Sequence, residues 1–221
     1  MSQERWNAVD NMVQNLFVPS DPALEAALAD SQAAGLPAIQ VTPNQGMLLH
    51  ILARAIGARA ILEIGTLGGY STIWLARALA PGGRLITLEL NPHHAAVARA
   101  NLERAGVAGR VELRLGDAQE SLARLAAESE GPFDLIFIDA DKPATAEYFA
   151  WAMKLIRSGG MILTDNVVRN GALADENSAD ANVRGVRRFT AAAAAEPRAT
   201  TTVVQTVGSK GYDGFAVSVI A

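Results

Sequence analysis

I-L-E-I-G-T-L-G-G-Y-S, residues 61–71, is an apolar run that breaks into a glycine-rich turn, after which Thr72 to Leu79 continues as an apolar helix pattern. Strand, tight turn and helix start, in that order, bring a backbone close to a bound nucleotide-like cofactor. A second apolar run, Arg84 to Glu89, closes on a carboxylate 24 residues after Gly65. That is where a doubly wound sheet places the acid that accepts from ribose hydroxyls. Gly65, Gly68 and Gly69 do not spell G-x-G-x-x-G, so the turn alone also fits a plain structural connection. What decides between the two is the rest of the chain.

Downstream of the turn, apolar runs alternate with helical patterns: Ala60 to Ile64, Arg84 to Glu89, Arg110 to Leu115, Phe133 to Asp139 and Met161 to Asp165. Such alternation predicts a parallel sheet covered by helices on both faces. After a helix over Val183 to Ala195, the β-rich runs Thr200 to Thr206 and Phe215 to Ile220 flank G-S-K-G-Y-D-G, so the sheet is expected to end in an antiparallel hairpin. Upstream, Trp6, Val9, Met12, Val13, Leu16 and Phe17 fall at helical spacing. Asp21-Pro22 and Thr42-Pro43 each read as an N-cap with proline in the first turn, and Gly35 and Gly57 end the helices they open.

A chain of 221 residues, half of them hydrophobic, has room for one sizeable core. A single domain over residues 1–221 is expected, its helices within 1–57 covering the site or pairing two subunits. A net charge of -4 without a basic stripe argues against nucleic acid as a partner. The absence of cysteine excludes disulfides and thiolate metal sites. No run approaches the roughly 20 apolar residues of a membrane span, and M-S-Q-E-R-W lacks the apolar core of a signal peptide. These features lead to the expectation of a cytoplasmic enzyme.

Asp139 ends one buried strand, and Asp165 with Asn166 ends the next. Ligands of open α/β sheets bind at the carboxyl ends of the strands. Adjacent strands lie about 4.8 Å apart, so neighbouring strand ends can converge on one ion. Two carboxylates and an amide oxygen form a hard site suited to Mg²⁺, Mn²⁺ or Ca²⁺, although a single strand-end acid equally serves as a helix cap. Lys142, in D-A-D-K, would sit at the lip of that site, where a nearby cation and partial burial disfavour the charged ammonium and suit it to act as a general base. Asp117 in G-D-A-Q-E is placed to accept from an adenine amino group and to cap the helix Ala118 to Ala127.

The run from Leu36 to Asn170 resembles the cation-dependent O-methyltransferases of the catechol and caffeoyl-CoA type, a branch of the S-adenosylmethionine-dependent methyltransferases. V-T-P-N-Q-G, L-E-I-G-T-L-G-G-Y-S, T-L-E-L-N-P, G-D-A-Q-E, F-I-D-A-D-K and L-T-D-N-V carry the resemblance in order and with fitting intervals. It implies a Rossmann-like α/β fold with a mostly parallel seven-stranded sheet. It further implies that Glu63, Gly65 and Ser71 surround the methionine part of the cofactor, that Glu89 binds its ribose, and that Val41 touches it from the segment before the sheet. Asp117, Ala118 and Gln119 would frame the adenine. Asp139, Asp165 and Asn166 match the metal ligands, and Asp141 matches a position beside both cofactor and metal. Lys142 matches the catalytic base, with Asp139 the second catalytic residue. The implied acceptor is a vicinal aromatic diol, and the implied assembly a homodimer.

The chain departs from that pattern at Arg169, where many relatives carry tryptophan and where a plain exposed side chain is the simplest reading. G-S-K-G-Y-D-G-F is also not the common form of the tail. Asn170 to Asn182 reads as a lid or a surface loop. His93 and His94 are expected to face solvent, and His50 to lie within a helix. Two rivals stay open at this stage. A nicotinamide dehydrogenase leaves Asp139, Asp165, Asn166 and Lys142 without a joint purpose. A non-catalytic cofactor-binding protein would have no need of the intact ligand set. A DNA methyltransferase is disfavoured by the lack of a D/N-P-P-Y/F motif.

Overall fold

The structure, a computed structural model, describes residues 2–221. Three helices come first: α1 (Gln3–Phe17), α2 (Pro22–Ala33) and α3 (Pro43–Ala55). The caps that open the latter two act as their sequences predict. Asp21 Oδ1 accepts from the N–H groups of Ala23 and Leu24, both at 3.0 Å, and Thr42 Oγ1 from that of Gln45 at 3.2 Å. Each satisfies donors that a helix start would otherwise leave unpaired.

The alternating part follows as β1 (Ala60–Ile64), α4 (Tyr70–Ala78), β2 (Arg84–Glu89), α5 (Pro92–Arg104), β3 (Val111–Leu115), α6 (Ala118–Ala127), β4 (Phe133–Ile138), α7 (Thr145–Leu155) and β5 (Ile156–Asp165). After it come α8 (Ala181–Ala195), β6 (Ala199–Gly208) and β7 (Gly211–Ile220). The seven strands form one sheet in the order β3-β2-β1-β4-β5-β7-β6. The first five are parallel, while β7 runs antiparallel to both β5 and β6. Alternate residues of the central strands feed opposite cores: Leu62, Ile64, Ile136 and Ile138 pack towards α6, α7 and α8, and Ile61, Leu135 and Phe137 towards α3 and α4. Burial on both faces is what makes these strands continuous apolar runs.

From β1 the chain builds outwards through β2 and β3, then returns to the other side of β1 for β4 and β5. Beyond the carboxyl ends of β1 and β4, their loops part to opposite faces and open a crevice. Glu89, Asp139 and Asp165 all stand at the ends of strands around it. The larger departures from expectation lie in β5, the final hairpin and the loop before α8. β5 starts at Ile156 rather than Met161, because Ile156 pairs with Phe133 across an irregularity that lets R-S-G-G, a turn signal in sequence, continue the strand. The final hairpin turns only at Ser209 and Lys210, so Tyr212, Asp213 and Gly214 belong to β7. Within the expected lid or loop, Ala172–Ala174 forms a 3-10 turn, and Arg187 of α8 donates to the Leu173 carbonyl at 2.6 Å. Among the described residues, no helix is long and apolar enough to cross a membrane.

Candidate active site

Gly65 leaves β1 with φ +100°, and a Cβ there would come within 2.1 Å of the Asp139 carbonyl oxygen. Glycine is therefore what lets the ends of β1 and β4 lie side by side. Two residues earlier, Glu63 is fully buried beneath the turn. Its carboxylate accepts from the hydroxyls of Ser71 at 2.6 Å, Thr72 at 2.5 Å and Thr87 at 2.7 Å. Burial pushes its pKa up to about 7 against the lowering effect of those three donors.

Glu89 fastens the same turn to β2. Its Oε2 accepts from the N–H groups of Thr66 and Leu67, at 3.2 and 2.8 Å, and its Oε1 from that of Asn91 at 2.9 Å. At the start of α6, Asp117 uses Oδ1 alone to cap Gln119 and Glu120, at 2.8 and 3.1 Å. The Gln119 side-chain oxygen accepts from the Trp151 indole at 3.0 Å, which fixes its orientation. The turn, Glu89 and the Asp117-Ala118-Gln119 segment line one cavity of about 670 Å³, together with Val41 and Ser71. A volume of that order suits a bound small molecule.

At the other end of this cavity Lys142 Nζ lies 3.0 Å from Asp139 Oδ1, and the lysine is largely buried. Asp141 accepts from the Tyr148 hydroxyl at 2.5 Å. Burial and that carboxylate both push the tyrosine's pKa up, so the hydroxyl stays protonated and donates this hydrogen bond. Asn166 lies on the wall with φ +55°, and its N–H donates to Asp165 Oδ1 at 2.8 Å. Asp165 is buried beneath; burial raises its pKa, the Asp139 carboxylate adds to the effect, and Lys142 opposes it. Among the described residues, no three His, Cys, Asp or Glu side chains form a metal cluster; the expected set is two carboxylates and an amide. Its donor chemistry nonetheless fits a hard divalent cation, because two neighbouring carboxylates in a buried place are stabilised by a shared positive charge.

Of the expected site residues, Glu63 and Asp165 do not reach the cavity wall. Glu63 lies behind Ser71, whose hydroxyl it holds, and Asp165 lies buried next to Asn166, whose N–H it accepts. Two expectations need correction. His94 does not simply face solvent: its Nδ1 is 3.4 Å from Glu89 Oε1 and the ring lines the cavity. Arg169 is half-buried and lines the cavity too. His93 is exposed, with Nε2 2.9 Å from the Ala34 carbonyl, and His50 lies in α3 with Nδ1 3.2 Å from the Trp74 carbonyl.

Tyr148 and Lys210 went unread in the sequence. Lys210, at the tip of the final hairpin, donates to the carbonyls of Ala38 and Gln40 and so braces the segment that carries Val41. Burial lowers its pKa, and the Asp139 and Asp165 carboxylates work against that. No local pattern signals such a contact. Tyr148 reaches Asp141, seven residues earlier, from the start of α7.

A family model described as O-methyltransferase matches residues 21–213. The chain is 50% identical to the catechol O-methyltransferase of Niastella koreensis over 220 residues, which is 100% of both proteins. It is 52% identical over 212 residues to the catechol O-methyltransferase of Mycobacterium tuberculosis, covering 96% of this chain and 94% of that one. An O-methyltransferase from Bacillus cereus, solved in complex with SAH, superposes with a TM-score of 0.98 at 53% identity over 100% of both chains.

Proposed function

The chain belongs to the O-methyltransferase family and is thus an S-adenosylmethionine-dependent enzyme; from that premise we propose that it methylates one hydroxyl of a vicinal aromatic diol chelated by a divalent cation. The observation that carries this reading is that one cavity joins the glycine turn, Glu89 and Asp117 at one end to the Lys142–Asp139 pair and Asn166 at the other. Methyl donor and acceptor would then meet within a single cavity.

In this reading Glu89 and the Asp117-Ala118-Gln119 segment hold the nucleoside part of the donor. Asp117 Oδ2 takes no part in capping the helix, so it is free to accept from the adenine amino group. Ser71, oriented by Glu63, and the backbone at Gly65 bound the methionine part. Asp139, Asp165 and Asn166 would hold the cation, with Asp141 beside it. When bound, a divalent cation of the Mg²⁺ type supplies Lewis acidity that lowers the pKa of a chelated hydroxyl. Lys142 takes the acceptor's proton at Nζ, and Asp139 keeps that nitrogen at the lip of the cavity. Buried apolar walls such as Val41 and Ile64 exclude water. Orientation of the oxygen against the methyl can contribute about 7–11 kcal/mol. Within residues 1–57, α2 covers the cavity through Leu28 and Ser31 and the segment before α3 through Val41, and α1 would pair two subunits.

The test is mass-spectrometric detection of methyl transfer to a panel of vicinal diols, with Mg²⁺ and again with EDTA. Product only in the presence of the ion is expected. Asp165→Ala should abolish that transfer while leaving S-adenosylhomocysteine affinity, read by calorimetry, within about twofold. Undiminished transfer by the variant, or in EDTA, would defeat the metal assignment.

A further inference from the structure

Arg169 stands three residues beyond Asn166 on the wall of the same cavity. Arg77, Arg114 and Arg157 all meet carboxylates. Among the described residues, by contrast, the Arg169 guanidinium has neither an ion-pair nor a hydrogen-bond partner. Its backbone, however, is firmly placed. φ is +56° at Arg169, +56° at Asn170 and +83° at Gly171, a left-handed run that side chains other than glycine rarely adopt.

Such a conformation persists where the surroundings impose it. Here Asp213 Oδ1 accepts from the N–H groups of Val168 at 3.0 Å and Arg169 at 2.9 Å, and Asn170 N–H donates to the Tyr212 carbonyl at 3.1 Å. A merely solvated arginine needs no such anchoring. The other cations at this end are engaged: Lys142 with Asp139, and Lys210 with the carbonyls of Ala38 and Gln40. Arg169 is left with free, planar donors at the cavity wall.

We infer that Arg169 binds a carboxylate carried by the acceptor, so that the enzyme prefers aromatic diols bearing an acid over neutral or amine-bearing ones. The inference rests on the methyl-transfer reading above and names its acceptor more closely. A guanidinium matches a carboxylate through two parallel N–H donors, a geometry that a neutral ester cannot exploit equally. An acceptor with an ammonium arm would meet the Arg169 guanidinium as a like charge, which selects against it.

The experiment compares caffeate, its methyl ester and dopamine on the full-length protein. Kd is measured by calorimetry with S-adenosylhomocysteine and Mg²⁺ present, and kcat and KM are measured with S-adenosylmethionine. For the wild type, caffeate is expected to bind at least about 10-fold more tightly than the ester, and dopamine more weakly than either. Arg169→Met should raise Kd and KM for caffeate by about the same factor, affect the ester far less, and be partly rescued by Arg169→Lys. Equal affinity of the wild type for acid and ester would overturn the inference. So would an equal loss on both in Arg169→Met, which would mean that the arginine packs on the ring or merely holds the loop. If none of the three diols is methylated, the diol reading fails by itself. A Kd preference for the acid that Arg169→Met abolishes would then still support the carboxylate site, and equal Kd values would remove it as well.

Discussion

Glu63 is held by three hydroxyl donors and is yet completely buried, so its surroundings pull its ionisation in opposite directions. Burial prevails, and the pKa rises from 4.5 to about 7. The folded protein therefore holds this proton more tightly than the unfolded chain does. The stabilisation from that proton is complete below pH 4.5 and is lost as pH rises through about 7. At 1.36 kcal/mol per pH unit the loss is roughly 3 kcal/mol. Glu63→Gln cannot ionise, so its stability relative to wild type should improve by about that amount between pH 4.5 and 8. Urea unfolding at the two pH values, without added divalent ion, reads the difference. Parallel pH profiles for both proteins would mean that the hydroxyls keep the glutamate ionised throughout.

At the scale of elements, Asp213 of β7 organises the loop that follows β5. Its Oδ1 receives the N–H groups of Val168, Arg169 and Gly214 at 3.0, 2.9 and 2.9 Å. Asp213→Ala would leave these partly buried donors without their acceptor, a destabilisation of about 2 kcal/mol. Because the loop carries Asn166 and Arg169, KM for the acceptor should rise severalfold while S-adenosylhomocysteine affinity stays constant. An equal loss of both affinities would show that the loop supports the whole cavity rather than one end. The contrast between caps and tie-residues explains what the sequence discloses. Asp21, Thr42 and Asp117 cap helices through partners two or three residues away, so their roles are written in local spacing. The β1–α4 turn, the strand-end acids and the alternation are local in the same sense. Glu63 depends on Thr87 of another strand, and Lys210 on the carbonyl of Gln40, 170 residues away. Asp213 depends on a loop 44 and 45 residues earlier. Such partners become neighbours only through the order of the sheet, which is why local spacing discloses neither the hydroxyl cage of Glu63 nor the place of Arg169 on the cavity wall.

Over the whole molecule, α1 has no buried residue. It is attached by polar contacts: Gln3 donates to the Gly208 carbonyl at 2.8 Å, and Asp10 accepts from Ser209 N–H at 2.7 Å and from the Asn44 amide at 3.0 Å. Meanwhile Val9, Met12, Leu16 and Phe17 are 57, 55, 66 and 67% exposed. Three of these residues, Val9, Met12 and Leu16, recur at helical spacing and form a stripe on one face. Nearby β6 ends the sheet with an open edge and leaves Val204 and Val207 exposed. A contiguous apolar face of this kind is a contact surface in search of a cover, and a second copy of the chain supplies a self-complementary one. Light scattering at micromolar concentration should accordingly give twice the chain mass of 23.2 kDa. Met12→Glu combined with Leu16→Glu should reduce it to the single mass, since each buried charge would lack a partner. Both positions are exposed in the isolated chain, so the variant should fold with its helical content intact by circular dichroism. A wild-type monomer would refute α1 as a dimer surface, and a dimer that survives both glutamates would move the interface to another face. Because α1 also steadies the hairpin tip through Asp10, separation of the subunits should loosen Lys210 and the Ala38–Gln40 segment. It should thereby raise the acceptor's KM before it affects the nucleoside end of the cavity.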